Sequence, residues 1–313
     1  MNIAIVGCGH IAVRVAQGIM YSKGNLYAVA ARDKERARQF SLNYPDCKYM
    51  DYDEVFADEN VDMVYIATVN MAHFGLIKRA LMSHKHVICE KPMLANEDEI
   101  KKVFELARKQ GCFLMEAHKT CFTVLNRHLK PIINEKIGRI EHIYGQYCSL
   151  ADFSKLKEFN TTEKTMGGCR FDIGVYPICF ANYYADSVIK NIESVKIEKG
   201  EYPNDIDMTA QLLYENGITA TVRSSWLDGS VNKGIIYGEK GRVEIINFWK
   251  NTEAEIFFED GTSEKVKVEQ DSDFTGEVNE AVNCAENGLF ESAVMSEKAS
   301  LEIMKVLKKV KEY

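Results

Sequence analysis

Gly7-Cys8-Gly9-His10-Ile11-Ala12 is a G-x-G-x-x-A run placed directly after the apolar stretch Ile3–Val6. That spacing suits a dinucleotide pyrophosphate. Gly7 allows the tight turn, Gly9 lets the backbone approach the phosphates, and Ala12 permits close helix–strand packing. The helix start at His10 and Ile11 favours the negative charge. A glycine run alone is weak. Here it follows a strand and opens a helix within a βαβ unit, the context this chemistry requires. The bland alternative is a tight βα turn that holds no ligand.

The end of the next strand selects between nicotinamide cofactors. An acid about 20 residues past the loop would bind a ribose 2′-hydroxyl. The strand ends Ala30-Ala31-Arg32-Asp33, with Ala31 where the acid is expected. The Arg32 guanidinium can meet a 2′-phosphate through charge-assisted hydrogen bonds, and Arg36 follows one helical turn on. This favours NADP(H), with NAD(H) possible. Asp33 has two other readings, a ribose ligand or the cap of the helix that follows.

Alternating strand and helix patterns position these groups. Strands are expected at Asn2–Val6, Leu26–Ala31, Val61–Thr68, His86–Cys89 and Cys112–Glu116. Helices are expected at His10–Tyr21, Lys34–Tyr44, about 72–83 and Glu97–Gln110, the last capped by Asn96 and ended by Gly111. That alternation predicts a doubly wound parallel sheet, a Rossmann domain over residues 1–120. From about 140 the period changes. Strands are expected at Ile140–Cys148, Ile192–Glu198, Thr209–Tyr214, Ile218–Ser225, Val243–Ile246, Glu255–Phe258 and Lys265–Val268, with a hairpin at Glu215-Asn216-Gly217. Helices are expected near 172–186, 277–287 and 296–312. Residues 121–313 therefore read as an α+β domain with a large, mostly antiparallel open sheet and helices on one face.

Composition limits the function. The 313 residues carry 46% apolar and 27% charged side chains, a globular balance that excludes a disordered chain or a fibre. A net charge of −7 at pH 7 gives no support to nucleic-acid binding. No apolar run reaches about 18 residues, so no membrane span is expected, and no signal peptide is read at the start. Nine cysteines without a C-x-x-C argue for reduced thiols in a cytoplasm rather than disulfides or zinc. No metal is expected. The stripe Ile303, Val306, Leu307 and Val310 reads as a core-facing helix side.

Further motifs give the chain a resemblance. With the glycine loop come Thr68-Val69-Asn70 and His73, then Glu90-Lys91-Pro92, Glu116-Ala117, and the run from Gly167-Gly168-Cys169-Arg170 to Asp172 and Tyr176. Over most of its length the sequence resembles the glucose–fructose oxidoreductase / inositol dehydrogenase / rhizopine-catabolism (Gfo/Idh/MocA) oxidoreductases, in a dihydrodiol-dehydrogenase-like D-x-x-x-Y form. The resemblance implies a Rossmann domain followed by an open-sheet domain often used for dimer contacts. It also implies hydride exchange at one carbon of a sugar, polyol or related cyclic alcohol. The chain departs from the family at Val69 where Pro is frequent, at Met166 where Gly is frequent, and at Cys121 where Arg is frequent. The last lies in a segment that shapes the substrate pocket, so no relative's substrate carries over.

Hydride exchange with an alcohol carbon needs a group that moves the hydroxyl proton. Free Lys titrates near 10.4 and Tyr near 10, and an ammonium beside a phenol favours phenolate. On the resemblance, Lys91 bridges the nicotinamide ribose and the reacting oxygen, Tyr176 is the acid/base, and Asp172 orients Lys91 or a substrate hydroxyl. A helix would put Asp172 and Tyr176 on one face, although Pro177 disfavours α geometry at Tyr176. Each residue also has a bland reading: a cap for Asp172, a core aromatic for Tyr176, a solvated charge for Lys91. Thr68, Asn70, His73 and Glu90 are further cofactor-site candidates, with His73 either near the cofactor or merely facing solvent. His118, Lys119 and Phe122 are substrate-site candidates.

The leading expectation is an NADP(H)-dependent oxidoreductase acting on a secondary alcohol or carbonyl of a sugar, polyol or dihydrodiol-like ring. The alternatives are a non-catalytic dinucleotide-sensing regulator and a cofactor-retaining glycosidase. The expected partner is a small-molecule substrate. A homodimer through the second-domain sheet is also expected.

Overall fold

A computed structural model describes residues 1–153, 166–202 and 204–309. The chain forms two compact units. The first comprises Met1–Phe122 and Asp271–Ser300, the second Thr123–Gln270 and the chain from Leu301. The sequence reading draws one boundary near 120 and assigns everything after it to the second domain. The chain instead crosses back, and 271–300 belong with the Rossmann unit. Periodicity reports that a helix has an apolar face, not which core covers it.

The first unit is built on a six-stranded sheet in the order β3-β2-β1-β4-β5-β6. The strands are β1 (Asn2–Val6), β2 (Asn25–Ala30), β3 (Lys48–Met50), β4 (Met63–Ile66), β5 (His86–Glu90) and β6 (Leu114–Ala117), and every pairing is parallel. Strands β1, β4, β5 and β6 are almost wholly buried, as expected for a sheet covered on both faces, whereas β3 at the edge is not. Its helices are α1 (His10–Met20), α2 (Lys34–Ser41), α3 (Tyr52–Ala57), α4 (His73–Met82) and α5 (Glu97–Gln110). Asn96 caps α5 by accepting the Glu99 N–H at 2.8 Å, and Gly111 ends it in the left-handed region. The short β3 and α3 lack enough residues for a clear period, and the sequence reading has neither.

The second unit carries α6 (Val124–Ile137) and an eight-stranded sheet. Its strands are β7 (Ile140–Cys148), β8 (Ile189–Glu198), β9 (Asp207–Tyr214), β10 (Thr219–Ser225), β11 (Lys233–Gly238), β12 (Gly241–Ile246), β13 (Glu253–Phe258) and β14 (Ser263–Lys267), in the order β14-β13-β12-β11-β7-β10-β9-β8. Only β7 and β10 pair in parallel; the rest are antiparallel. The β9–β10 hairpin turns at Asn216-Gly217, as expected. Helix α7 (Val175–Ala185) packs on β7, β10 and β11, and α6 on β11 to β13.

The returning segment forms α8 (Thr275–Glu286), which packs on α1, β5 and β6. Helix α9 (Glu297–Lys308) follows, with Ile303, Val306 and Leu307 buried. Val310 lies outside the described residues. Among the described residues no helix is long and apolar enough to cross a membrane, no His/Cys/Asp/Glu group could hold a metal ion, and no disulfide forms.

Candidate active site

In the first unit β1 delivers the glycine loop to the start of α1. Gly7 sits at φ +118, and a Cβ there would lie 2.4 Å from the Ala67 carbonyl oxygen, so only glycine fits the turn. Gly9 is the N-cap of α1. It offers no side-chain cap, and the first turn holds no acid. The amide donors at this eleven-residue helix start thus meet no competing side chain. His10 is exposed and Ile11 half-buried. These features fit a dinucleotide pyrophosphate.

At the end of β2, Ala31 is buried and has no acid to offer a ribose. Asp33 caps α2, its Oδ1 accepting the Glu35 N–H at 3.0 Å. Arg32 and Arg36 are both exposed. Both lie near enough to the Tyr52 phenol to favour its ionised form, although burial dominates and raises its pKa. Burial also lifts the Cys8 thiol to about 11, with Arg36 opposing.

The Glu90-Lys91-Pro92 turn after β5 is held by buried side chains. The Met93 N–H donates to Glu116 Oε1 at 2.8 Å, and the Met93 carbonyl lies 3.0 Å from His73 Nδ1. His73 Nε2 faces the Thr68 carbonyl at 3.2 Å. His73 is therefore buried, not solvent-facing. It ties the loop after β4, which carries Thr68 and Asn70, to the Glu-Lys-Pro turn. Burial holds its pKa below the ordinary histidine value. Burial pushes the Glu116 pKa up, but His118 and the hydrogen bonds outweigh it and leave it lowered. Glu90 Oε2 accepts the Lys91 N–H at 3.2 Å, and Tyr65 Oη lies 2.9 Å from Glu90 Oε1. Lys91 itself is half-buried.

His118, Lys119 and Phe122 are buried. Lys119 is ion-paired to Asp273 and sits 4.6 Å from the Phe274 ring centroid. Arg14 of α1 grips the same Asp273 at 2.6 Å. Lys119 thus serves as a counter-ion inside the first unit.

In the second unit Asp172 lies on a π turn, Arg170–Gly174, that leads into α7. Pro177 falls just after the π turn, and the helix continues through it, so Tyr176 is helical despite the proline that follows. Asp172 is exposed and Tyr176 half-buried. Asp205 anchors the start of this segment. Its Oδ2 accepts the Arg170 N–H at 2.7 Å and the Cys169 thiol at 3.2 Å, and its Oδ1 lies 3.0 Å from Arg170 Nε. Gly168, at φ +95, is pressed so close that a Cβ would meet Asp205 Oδ1 at 2.5 Å. Met166, where the family often has glycine, stands at φ +54. The Tyr176 ring packs in an aromatic group, 5.4 Å from Tyr147 and 6.0 Å from Trp249, with Tyr147 stacked on Trp249 at 3.9 Å.

Sequence reasoning misses Tyr65, Glu277, Asp273, Asp205, Tyr147 and Trp249. One signal existed. Glu277 shares the buried side of α8 with Val278, Ala281 and Val282, an acid on an apolar stripe.

Comparison with known proteins agrees with these features. Residues 1–118 match the family model described as "Oxidoreductase family, NAD-binding Rossmann fold", and residues 127–244 match "GFO/IDH/MocA C-terminal domain". Trans-1,2-dihydrobenzene-1,2-diol dehydrogenase of Mus musculus is 28% identical over 306 residues, 93% of this chain and 90% of that protein. The scyllo-inositol 2-dehydrogenase (NADP(+)) IolU of Bacillus subtilis is 28% identical over 276 residues, 86% of this chain and 83% of that protein. Among solved structures, KijD10, a 3-ketoreductase from Actinomadura kijaniata in complex with NADP and TDP-benzene, matches with a TM-score of 0.86 at 21% identity, covering 99% of this chain and 96% of that one. An NAD binding oxidoreductase from Klebsiella pneumoniae matches with a TM-score of 0.84 at 18% identity, covering 98% and 94%. At such identities the structural matches establish the fold. With both of its domains matched by models of one family, the chain belongs to the Gfo/Idh/MocA NAD(P)-dependent oxidoreductases.

Proposed function

We propose that this oxidoreductase uses NADP(H) to interconvert a secondary alcohol and a carbonyl on a small ring, a dihydrodiol, cyclic polyol or sugar. The observation that carries the cofactor choice is the end of β2. Ala31 brings no acid, the Asp33 carboxylate caps α2, and Arg32 and Arg36 are exposed cations. Guanidinium groups bind phosphate through paired charge-assisted hydrogen bonds. The relatives' names support the substrate class, since trans-1,2-dihydrobenzene-1,2-diol and scyllo-inositol are both ring diols or polyols. The Tyr147–Tyr176–Trp249 group would give such a ring an apolar face.

When bound, NADP(H) would supply the hydride acceptor or donor for the carbinol carbon. Tyr176 receives the hydroxyl proton in oxidation and returns it in reduction. Lys91 holds the reacting oxygen, and Asp172 orients a substrate hydroxyl. Gly7, Gly9, His10, Ile11, Thr68, Asn70, His73 and Glu90 form the cofactor cradle. The exposed Tyr237 and Ile246 on the second-unit sheet suit a homodimer.

The test is a parallel titration of the cofactor-stripped protein with NADPH and NADH, followed by NADP⁺ reduction assays with trans-1,2-dihydrobenzene-1,2-diol and scyllo-inositol. NADPH tighter by tenfold, about 1.4 kcal/mol, supports the cofactor assignment. Tighter NADH overturns it, and no turnover with any ring diol or polyol overturns the substrate class.

A further inference from the structure

The first unit buries a phenol between two carboxyl groups. Tyr65 Oη lies 2.9 Å from Glu90 Oε1 and 2.8 Å from Glu277 Oε1. A phenol has one proton to donate, and an ionised carboxylate has none. Two such contacts need two protons, so one of the two carboxyls must carry the second.

The surroundings decide which. Glu90 retains slight exposure, and its other oxygen accepts the Lys91 N–H. Glu277 has no exposure, and its Oε2 has no hydrogen-bond partner. An ionised group so placed would leave a charged oxygen bare in the core, at a high desolvation cost. We propose that Glu277 is a neutral carboxylic acid that donates to Tyr65, leaving the Tyr65 proton for Glu90, and that this chain fixes the Glu90 carboxylate behind Lys91. Glu277 and Tyr65 are thus positioning residues. Glu90 is held at both oxygens, by the Tyr65 hydroxyl and by the Lys91 amide, which sets the peptide that carries the lysine. The importance of Lys91 rests on the proposed function; the proton placement does not.

The charged groups around Glu277 agree in sum. Burial pushes its pKa well up, Glu90 and Asp273 add to the rise, and Tyr65 and Lys119 oppose it. The Lys119 ammonium is directed to Asp273, and Glu277 Oε2 stays without a hydrogen-bond partner. The whole device depends on the returning segment. One turn of α8 brings Glu277 to β4 and β5, while Asp273 just before it pins Arg14 and Lys119.

The test uses the full chain as wild type, Glu277→Gln and Tyr65→Phe, with no substrate. The infrared difference spectrum of wild type minus Glu277→Gln at pH 7 shows a protonated-carboxyl carbonyl band if the proton is on Glu277; its absence overturns the proposal. Hydrogen exchange of the Lys91 amide is the second readout. Tyr65→Phe accelerates it about tenfold or more, as expected for a weakened charge-assisted hydrogen bond. Glu277→Gln keeps a neutral donor and leaves that exchange within about threefold of wild type, because no hydrogen bond is lost. An unchanged Lys91 amide in Tyr65→Phe, or equal acceleration at all neighbouring amides, overturns the positioning role. Should Tyr65→Phe fail to fold, a Lys91 amide in Glu277→Gln that exchanges as fast as an unprotected one has the same meaning. None of these readouts needs turnover, so a failed substrate assay would count against the proposed function alone.

Discussion

Asp205 grips Arg170 at two points. One carboxylate oxygen accepts the backbone N–H at 2.7 Å, and the other lies 3.0 Å from Nε. Asp205 is buried, and Arg170 opens the segment that carries Asp172 and Tyr176. Replacing Asp205 by Ala strands a largely buried guanidinium and frees the Arg170 and Cys169 donors. The expected loss is about 3 kcal/mol or more of folding stability, read as a lower denaturation midpoint. Restoring the acid as Glu should recover less than full stability, because Gly168 leaves no room for a longer side chain.

If Arg32 is the 2′-phosphate ligand as proposed, Arg32→Ala should weaken NADPH binding by about tenfold or more while leaving NADH within about threefold. Ala31→Asp should move preference the other way by placing a carboxylate where a ribose hydroxyl is read. Parallel fluorescence titrations measure both. An Arg32→Ala protein with unaltered NADPH affinity would rule out this residue as the phosphate ligand.

Tyr176→Phe should cut turnover by about 10²–10⁴, the range for losing a general acid/base, with NADPH binding preserved. Lys91→Ala should lose turnover to a similar extent and also weaken cofactor binding. Steady-state kinetics on an identified substrate, with separate cofactor titrations, distinguish the two. Near-wild-type turnover in Tyr176→Phe would remove it from the acid/base role.

Asp273 makes acid stability a readout of the returning segment. Burial raises its pKa, but Lys119 and Arg14 outweigh burial and leave it below the ordinary value. Folded protein therefore binds fewer protons at this site than unfolded chain. The stabilisation is complete above the unfolded value, about 3.9, and is lost as pH falls through the lower folded value. Asp273→Asn should flatten that part of the stability curve. At neutral pH it should cost about 3–5 kcal/mol, because Lys119 stays buried without its counter-ion. Denaturant titrations at pH 7 and near pH 3 test both statements.

Local chemistry made much of this protein legible. The βαβ start, the glycine loop, the Asn96 cap, the Gly217 hairpin and the Asp172–Tyr176 segment each depend on residues within a few positions of one another. The short β3 and α3 offered too few residues to show a period. His73 was visible as a candidate, but its place between the Thr68 and Met93 carbonyls was not, because the second partner is 20 residues away. Lys119 read as a substrate contact because a lysine after a strand end gives no sign of a partner 154 residues on.

The sequence by itself determined the class of fold, the phosphate loop, the cationic end of β2 and the family of chemistry. These follow from periodicity, from backbone needs that only glycine meets, and from short motifs. Tertiary structure decided what lies behind them. Helix α8 returns to the Rossmann unit, Asp205 holds the Tyr176 segment from the β8–β9 connection, and Glu277 meets Tyr65 across 212 residues of chain. The physical reason is burial. A carboxyl group's protonation and partners depend on what desolvates it, and that is fixed only when distant segments pack together.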